Sequence, residues 1–483
     1  MKTWSTLQTK IFDFVETENG NAIINAVAGS GKTTTIVEAL SRVKGSSLFL
    51  AFNKAIAEEL KSRGVNARTF HSLTYGPVTQ FKNTRTVEVD KLKKLVKGNF
   101  TGEEERMYGA FIIKMVGLAR QAGFGCLVNE TQQAWLDIVD HYNLDLDNDQ
   151  ADMTTAISLC SELLQLSNKS SMVDFDDLLY IAVKEGISLP KYDFIFVDEA
   201  QDTNAIQRAI LKKIMKPSSR IVAVGDPAQA IYGFRGADSN SLDLIRYDFK
   251  AIELPLSISY RCPKSVVKYA QEWVSHIQAS PTAEDGEVKH MGDQWTNKVF
   301  VCGDLVVCRR TAPLITMAYS LLRDRIGVQV LGRDIGEGLK ALIRKMQAQS
   351  VDRLVEKLEK YRNREVEKLI AKDQEAKAEA VRDRVSCILT LVEVLPENSR
   401  TINELIRILD EIFADKKGCV TLATIHKAKG LEADRVFWLD YDYSPSWPMA
   451  PWQKQQEKNL CYVAVTRAKK SLFTLETKQQ VKK

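Results

Sequence analysis

Nine short apolar runs rich in Val, Ile and Phe set the strongest limit on how this chain can fold. Four come early: AIINAVA at 22–28, SLFLAF at 47–52, YDFIFVDEA at 192–200 and RIVAVGD at 220–226. Five come late: DLVVCRR at 304–310, VQVLG at 328–332, CVTLATIH at 419–426, DRVFWLD at 434–440 and SLFTLE at 471–476. A strand with one wet face alternates apolar and polar side chains. Runs this continuous belong to strands covered on both faces, hence to parallel sheets with helices above and below. The expected fold class is α/β with two such sheets. Each series is broken by a long stretch without strand patterns, about 78–172 and about 339–416. Apolar residues there recur at three and four spacing, as in Val351, Leu354, Val355 and Leu358, so these stretches are expected to be helical insertions.

Between Asp352 and Arg384, 19 of 33 residues are charged, ten basic and nine acidic. Because the signs cancel, a solvated helix or helical hairpin laced with i,i+4 pairs is expected there in preference to a nucleic-acid-binding stripe. The 483 residues carry 67 Lys and Arg against 62 Asp and Glu. The net +5 is too small to announce a histone-like binder, so any such activity rests on local placement of Lys and Arg. Composition, with 45% hydrophobic residues, excludes a collagenous, disulfide-scaffold or mainly disordered chain, and the length suffices for roughly two to four domains. The eight cysteines (126, 160, 262, 302, 308, 387, 419 and 461) form no C-x-x-C and the five histidines no H-E-x-x-H. Thiols of a reducing compartment are expected, and no zinc site. The opening MKTWSTLQTKIFDFVETENG turns polar before a signal core could form, and no run nears the ~18 apolar residues of a membrane span. A cytoplasmic protein without membrane contact is expected, nuclear if the source is eukaryotic.

Chemistry first shows at Ala26-Val27-Ala28-Gly29-Ser30-Gly31-Lys32-Thr33, directly after an apolar strand and opening the helical pattern TTTIVEALSRV. It fits the phosphate loop G-x-x-x-x-G-K-[ST] with Ala26 in place of the first Gly. Backbone N–H groups over Ala28 to Thr34 and the helix N-terminus would bind phosphate oxygens, Lys32 would neutralise β and γ charge, and the Thr33 hydroxyl would reach Mg²⁺. A second strand, Phe194 to Val197, ends in Asp198-Glu199-Ala200-Gln201-Asp202. Carboxylates at the C-terminal end of a parallel strand lie where ligands bind, with Asp198 placed to hold Mg²⁺ and Glu199 to polarise a water for attack on the γ-phosphate. No N-K-x-D follows Asn53-Lys54, Asn168-Lys169 or Asn297-Lys298, which points to ATP over GTP.

With LAFNKAIAEEL and ARTFHSL, and about nine blocks in family order, the chain resembles the UvrD/Rep/PcrA group of superfamily 1 DNA helicases, in its F-box-helicase and phage-like branch. The resemblance implies two RecA-like P-loop NTPase motor domains. The first would span 1–77 and 173–256 with its insertion at 78–172. The second would span 257–338 and 417–483 with a short charged insertion at 339–416. It implies that Gln8 reads adenine, that Gln229 senses the γ-phosphate, and that Tyr232 and Phe234, in VGDPAQAIYGFRGA, approach DNA beside Arg235. In LSISYRCP, Tyr260 would stack on adenine and Arg261 contact the γ-phosphate. Glu432 would take the ribose contact, His426, Lys427 and Lys429 would link DNA to nucleotide, and Arg467 would be the second arginine finger.

An arginine supplied from a neighbouring body stabilises charge spreading over γ-phosphoryl oxygens by about 10³ to 10⁵ in rate. Arg261 and Arg467 belong to the second strand series, so ATP is expected in a cleft between two domains that closes on binding and opens on hydrolysis. The track would be single-stranded DNA or a single-strand to duplex junction, with bases stacked on Tyr232 and Phe234 and with Asn53, Lys54, Thr69 and His71 on phosphates and sugars. The family commonly carries Trp where Phe234 stands. Its members also carry a much larger second insertion, and the short run after Arg467 suggests a pared-down monomeric motor without a nuclease domain. The expected activity is an ATP-dependent 3′ to 5′ DNA helicase, serving replication, recombination or repair. The alternatives are a translocase that strips proteins from DNA with little unwinding, and an ATP-switched nucleic-acid clamp.

Overall fold

The computed structural model describes residues 3–477 apart from 143, 147, 149, 234, 235, 237–239, 372, 373, 398, 399, 415–419 and 446–448. Its contacts divide the chain into two compact units, 1–27 with 31–257 and 28–30 with 258–483. The first unit holds β1 (Ala22–Ala26), β2 (Ser47–Leu50), β3 (Ala67–Arg68), β4 (Tyr192–Val197), β5 (Met215–Gly225) and β6 (Ile252–Leu256). They form one six-stranded sheet in the order β3-β2-β4-β5-β1-β6, parallel throughout. The second unit holds a two-stranded pair, β7 (Ile258–Ser259) with β8 (Gln278–Ala279). It also holds β9 (Glu287–His290), β10 (Leu305–Cys308), β11 (Val328–Val330), β12 (Val420–Thr424), β13 (Ala433–Leu439) and β14 (Ala468–Leu475). These last six form a second parallel sheet in the order β11-β12-β10-β13-β14-β9. The α/β class and the two parallel sheets expected from the apolar runs are what the chain forms.

The continuous runs are explained by burial on both faces. On one face of the first sheet, Ile23, Leu48, Leu50, Ile195, Val197, Ile221 and Ala223 join one core. Their alternate neighbours Ala22, Ile24, Phe49, Phe196, Val222 and Val224 join another, under the helices Thr6–Thr17, Lys32–Ser41 and Lys54–Ser62. The first core runs without a break into the helical insertion, through Leu92, Ile112, Met115, Leu163 and Leu178. The second insertion is likewise continuous with its sheet: Leu354, Leu358, Val385, Ile388 and Leu409 share a core with Val306, Val330, Leu422 and Phe437.

Within the two six-stranded sheets, three strands have no counterpart among the apolar runs, namely β3, β6 and β9, and all three lie at sheet edges; the short pair β7 and β8 has none either. An edge strand has one wet side and needs no continuous apolar run. The exposed residues of β6 and its Pro255, and the mostly exposed Glu287–His290, fit that position. The run at 419–426 yields a shorter strand than expected: β12 ends at Thr424 and Ile425–Ala428 turns into helix, so His426 is helical. Cys419 lies outside the described residues.

The charged stretch 352–384 forms two helices, Val351–Ile370 and Glu375–Val394, packed against each other. Arg353 and Lys360 both pair with Glu356, and Arg382 pairs with Glu379, one turn apart on exposed faces. Exposed pairs of this kind add little, so the buried Leu354, Leu358, Val385 and Ile388 hold the hairpin in place. No helix among the described residues is long and apolar enough to cross a membrane.

Candidate functional site

The phosphate-loop segment leaves β1 at Ala26 and enters the helix at Lys32. Gly29 and Gly31 adopt φ of 71° and 77°, a left-handed conformation that costs an L side chain but not glycine. Gly31 caps the helix with no side-chain hydrogen bond, which leaves its first N–H groups for an anion. The Ser30 hydroxyl in the same loop is buried and has no hydrogen-bond partner.

Strand β4 ends one residue before the acidic pair and delivers it to this loop. Thr33 Oγ1 donates to Asp198 Oδ2 at 2.8 Å, and Lys32 Nζ lies 3.2 Å from Glu199 Oε1. Burial works against the Lys32 charge, yet Glu199, Asp226 and Asp198 outweigh it and raise the lysine above its ordinary value. Burial and the neighbouring Glu199 push Asp198 up to about 6 against the pull of Lys32. Burial also raises Asp226, on which Gln229 Nε2 donates at 2.6 Å. Glu199 itself sits at φ 50°, a sparsely populated conformation for a non-glycine residue, and its N–H bonds Asp198 Oδ1 at 2.9 Å.

One buried lysine thus faces three carboxylates, an excess of negative charge that suits a divalent cation. Mg²⁺ binds through one or two protein oxygens plus phosphate and water, and the Thr33–Asp198 pair is such a set. A cage of three or more His, Cys, Asp or Glu side chains does not occur among the described residues. The orphaned Ser30 hydroxyl, the uncapped helix and the surplus carboxylates fit a magnesium nucleotide.

The other sequence-derived nucleotide residues fall as follows. Gln8 is buried beside the loop helix, where Nε2 donates to Thr35 Oγ1 at 3.0 Å and Oε1 accepts from Ser5 N–H. In the second unit, Arg261 Nε lies 2.7 Å from Glu432 Oε2, while Lys469 takes the other oxygen. Tyr260 is exposed. Arg467 is fully buried, with Nε on Val463 O and Nη1 on Leu431 O, and so faces its own backbone.

Of the residues assigned to nucleic acid, Tyr232 stands parallel to Phe52, ring centroids 6.5 Å apart and planes within 6°. Phe52 escaped the sequence reading; its signal is an aromatic residue just past the end of β2, half exposed where a core residue would be covered. The two rings line a cavity of about 200 Å³ with His71, Arg120, Gln121 and Asp176. His71 packs edge-on against Phe175, and burial lowers its pKa, which favours the neutral imidazole. Asn53 and Thr69 are helix N-caps, accepting from Ile56 N–H and Ser72 N–H. Lys54 opens the helix that Asn53 caps, and Lys427 pairs with Asp334 at 3.0 Å. Phe234 and Arg235 lie outside the described residues.

Comparison with known families matches residues 7–250 to the UvrD/REP helicase N-terminal domain and residues 334–479 to the UvrD-like helicase C-terminal domain. The chain belongs to the UvrD/REP helicase family. Among relatives, the F-box DNA helicase protein 1 of Schizosaccharomyces pombe is 26% identical over 94% of this chain and 55% of its own length. The F-box DNA helicase 1 of Gallus gallus is 25% identical over 94% and 47%. The ATP-dependent DNA helicase PcrA of Leuconostoc citreum is 24% identical over 56% and 39%. This UvrD/REP-type chain therefore spans about half the length of the curated relatives it matches. The first strand series, the phosphate loop, the acidic pair and Gln229 all fall within the N-terminal match, and the last three runs of the second series fall within the C-terminal match.

Proposed function

We propose that the protein is an ATP-dependent DNA helicase that moves 3′ to 5′ along single-stranded DNA and opens duplex at a junction. The observation that carries this reading is Lys32, buried against Glu199, Asp226 and Asp198 with the Thr33 hydroxyl on Asp198. Lys32 would exchange its contact with Glu199 for the β and γ phosphates, and the loop N–H groups would hold the remaining oxygens. Thr33 and Asp198 would hold Mg²⁺, which supplies charge neutralisation across the phosphates when bound. Glu199, released from Lys32, would accept a proton from the water that attacks the γ-phosphorus, as the bond to the ADP oxygen breaks. Gln229, whose Nε2 donates to Asp226 Oδ2, would sense whether the γ-phosphate is present. A γ-phosphate contact for Arg261 and Arg467 rests on the family likeness; replacing either with Ala should slow turnover and leave ATP bound.

The parallel Phe52 and Tyr232 rings would receive a base, a sequence-tolerant contact of about 1–3 kcal/mol. The test compares duplexes bearing a 3′ or a 5′ single-stranded tail, with ATP and Mg²⁺. Unwinding from the 3′ tail supports the reading, and unwinding from the 5′ tail alone overturns its polarity. Glu199→Gln should bind ATP and hardly hydrolyse it; normal turnover would remove the nucleotide site. A second reading, a protein-stripping translocase, is favoured by the short second insertion, whose apolar face shares the core of its own sheet. ATP hydrolysis and movement on single strands without unwinding on either tail would select it.

A further inference from the structure

Gln201, two residues beyond Glu199, is buried on the short helix Ala200–Asp202. Its carboxamide oxygen accepts from the Asp226 N–H at 3.0 Å, which leaves only the NH₂ end to point the other way. That end donates to Glu199 Oε2 at 2.5 Å. The orientation of the amide is therefore fixed by the backbone of a different strand end and cannot flip without losing a buried bond. Space is equally tight: a Cβ added at Gly225 would meet Gln201 Oε1 at 2.5 Å and its backbone N at 3.0 Å.

We infer that Gln201 is a positioning residue for ATP hydrolysis, holding the Glu199 carboxylate at the attacking water and tying it to the segment that carries Gln229. The inference rests on the reading of Glu199 as general base. In the present structure Lys32 sits on Glu199 Oε1 and Gln201 on Oε2. When Lys32 turns to phosphate, Gln201 still holds the carboxylate by a bond that favours its charged form and does not compete for the proton-accepting oxygen. Glu199 has a strained backbone, φ 50°, so its side-chain direction depends on such supports. The chain of bonds from Glu199 through Gln201 to Asp226, and from Asp226 Oδ2 to Gln229, gives the base and the γ-phosphate sensor a common anchor. A shift of Gln229 on meeting the γ-phosphate would then be felt at Glu199.

Gln201→Glu separates this role from packing. It keeps the size and the acceptor for Asp226 N–H and replaces the donor facing Glu199 with a carboxylate. DNA-stimulated ATPase should lose about 10- to 100-fold in kcat, with KM for ATP within about threefold. Gly225→Ala, which displaces the same amide without altering it, should lower kcat without moving KM. A Gln201→Glu protein with kcat within threefold overturns the inference, as does a loss of kcat matched by an equal loss of ATP affinity. Glu199→Gln is measured alongside: its impairment beside a normal Gln201→Glu sinks the positioning role alone. Normal turnover by Glu199→Gln sinks the proposed function and the inference with it.

Discussion

Two lysines of the first unit are withdrawn from water, Lys32 at the phosphate loop and Lys91 at the start of the helix Lys91–Asn99 in the first insertion, and their surroundings differ. Lys91 Nζ bonds Asp177 Oδ2 at 2.6 Å and Ser167 O at 2.8 Å. Arg120 Nη1 meets Asp174 and Asp177 at 2.9 Å, so two cations share three neighbouring carboxylates with Asp176 at the edge. Burial lowers the Lys91 pKa more than Asp177 and Asp174 raise it, and the nearby Arg120 lowers it further. At Lys32 the balance is reversed, because three carboxylates face one cation. At Lys91 two cations meet three carboxylates and tie helices Lys91–Asn99, Gly102–Ala122 and Phe175–Lys184 together, whereas at Lys32 one cation meets three, a larger surplus that suits a divalent cation. Burial of a lysine says nothing about function until its partners are counted.

The comparison breaks most readily at Lys91. Lys91→Met leaves the Asp177 carboxylate short of a partner, and thermal or urea unfolding should show a loss of about 3–5 kcal/mol. Unchanged stability would mean that the network is not structural. Lys32→Ala should show first in chemistry, reducing ATP turnover by at least about 10²- to 10³-fold, while it also leaves three carboxylates without their cation. A variant with normal turnover would erase the distinction.

A third, smaller effect sharpens the reading of the surplus charge. The Asp198 pKa in the fold, about 6, lies above the ordinary 3.8, so between these values the folded protein keeps a proton that the unfolded chain releases. The stability this group contributes is full below 3.8 and is lost as pH rises through about 6. Without Mg²⁺ or nucleotide, Asp198→Asn should therefore raise the midpoint at pH 7.5 by about 2–4 °C, and the gain should narrow at pH 5. Millimolar Mg²⁺ with ATP should stabilise the unsubstituted protein more than the variant. A gain independent of pH would assign the effect to something other than the buried charge.

Legibility followed burial. Interior strands such as β1, β4 and β10 announce themselves because both faces are apolar, while β3, β6 and β9 carry no such pattern at the sheet edges. Lys32, Thr33, Asp198 and Glu199 were readable because a loop of fixed length and a strand end place them by local rules. Phe52 and Gln201 were not, since their importance comes from Tyr232 and Asp226, far away in sequence. Asn53 and Thr69 looked like ligands for phosphate, yet each also has a local task as an N-cap.

The sequence by itself determined the α/β class, the paired strand series, the helical insertions and the phosphate loop, because periodicity and short spacings are properties of neighbouring residues. Only the tertiary structure decided which charges meet. It set three carboxylates on Lys32, closed the ion network around Lys91, and turned the Gln201 amide between Asp226 and Glu199. Those outcomes depend on which strand lies beside which: β4 and β5 pair side by side, so Gln201 and Asp226, each just past a strand end, come within hydrogen-bond reach.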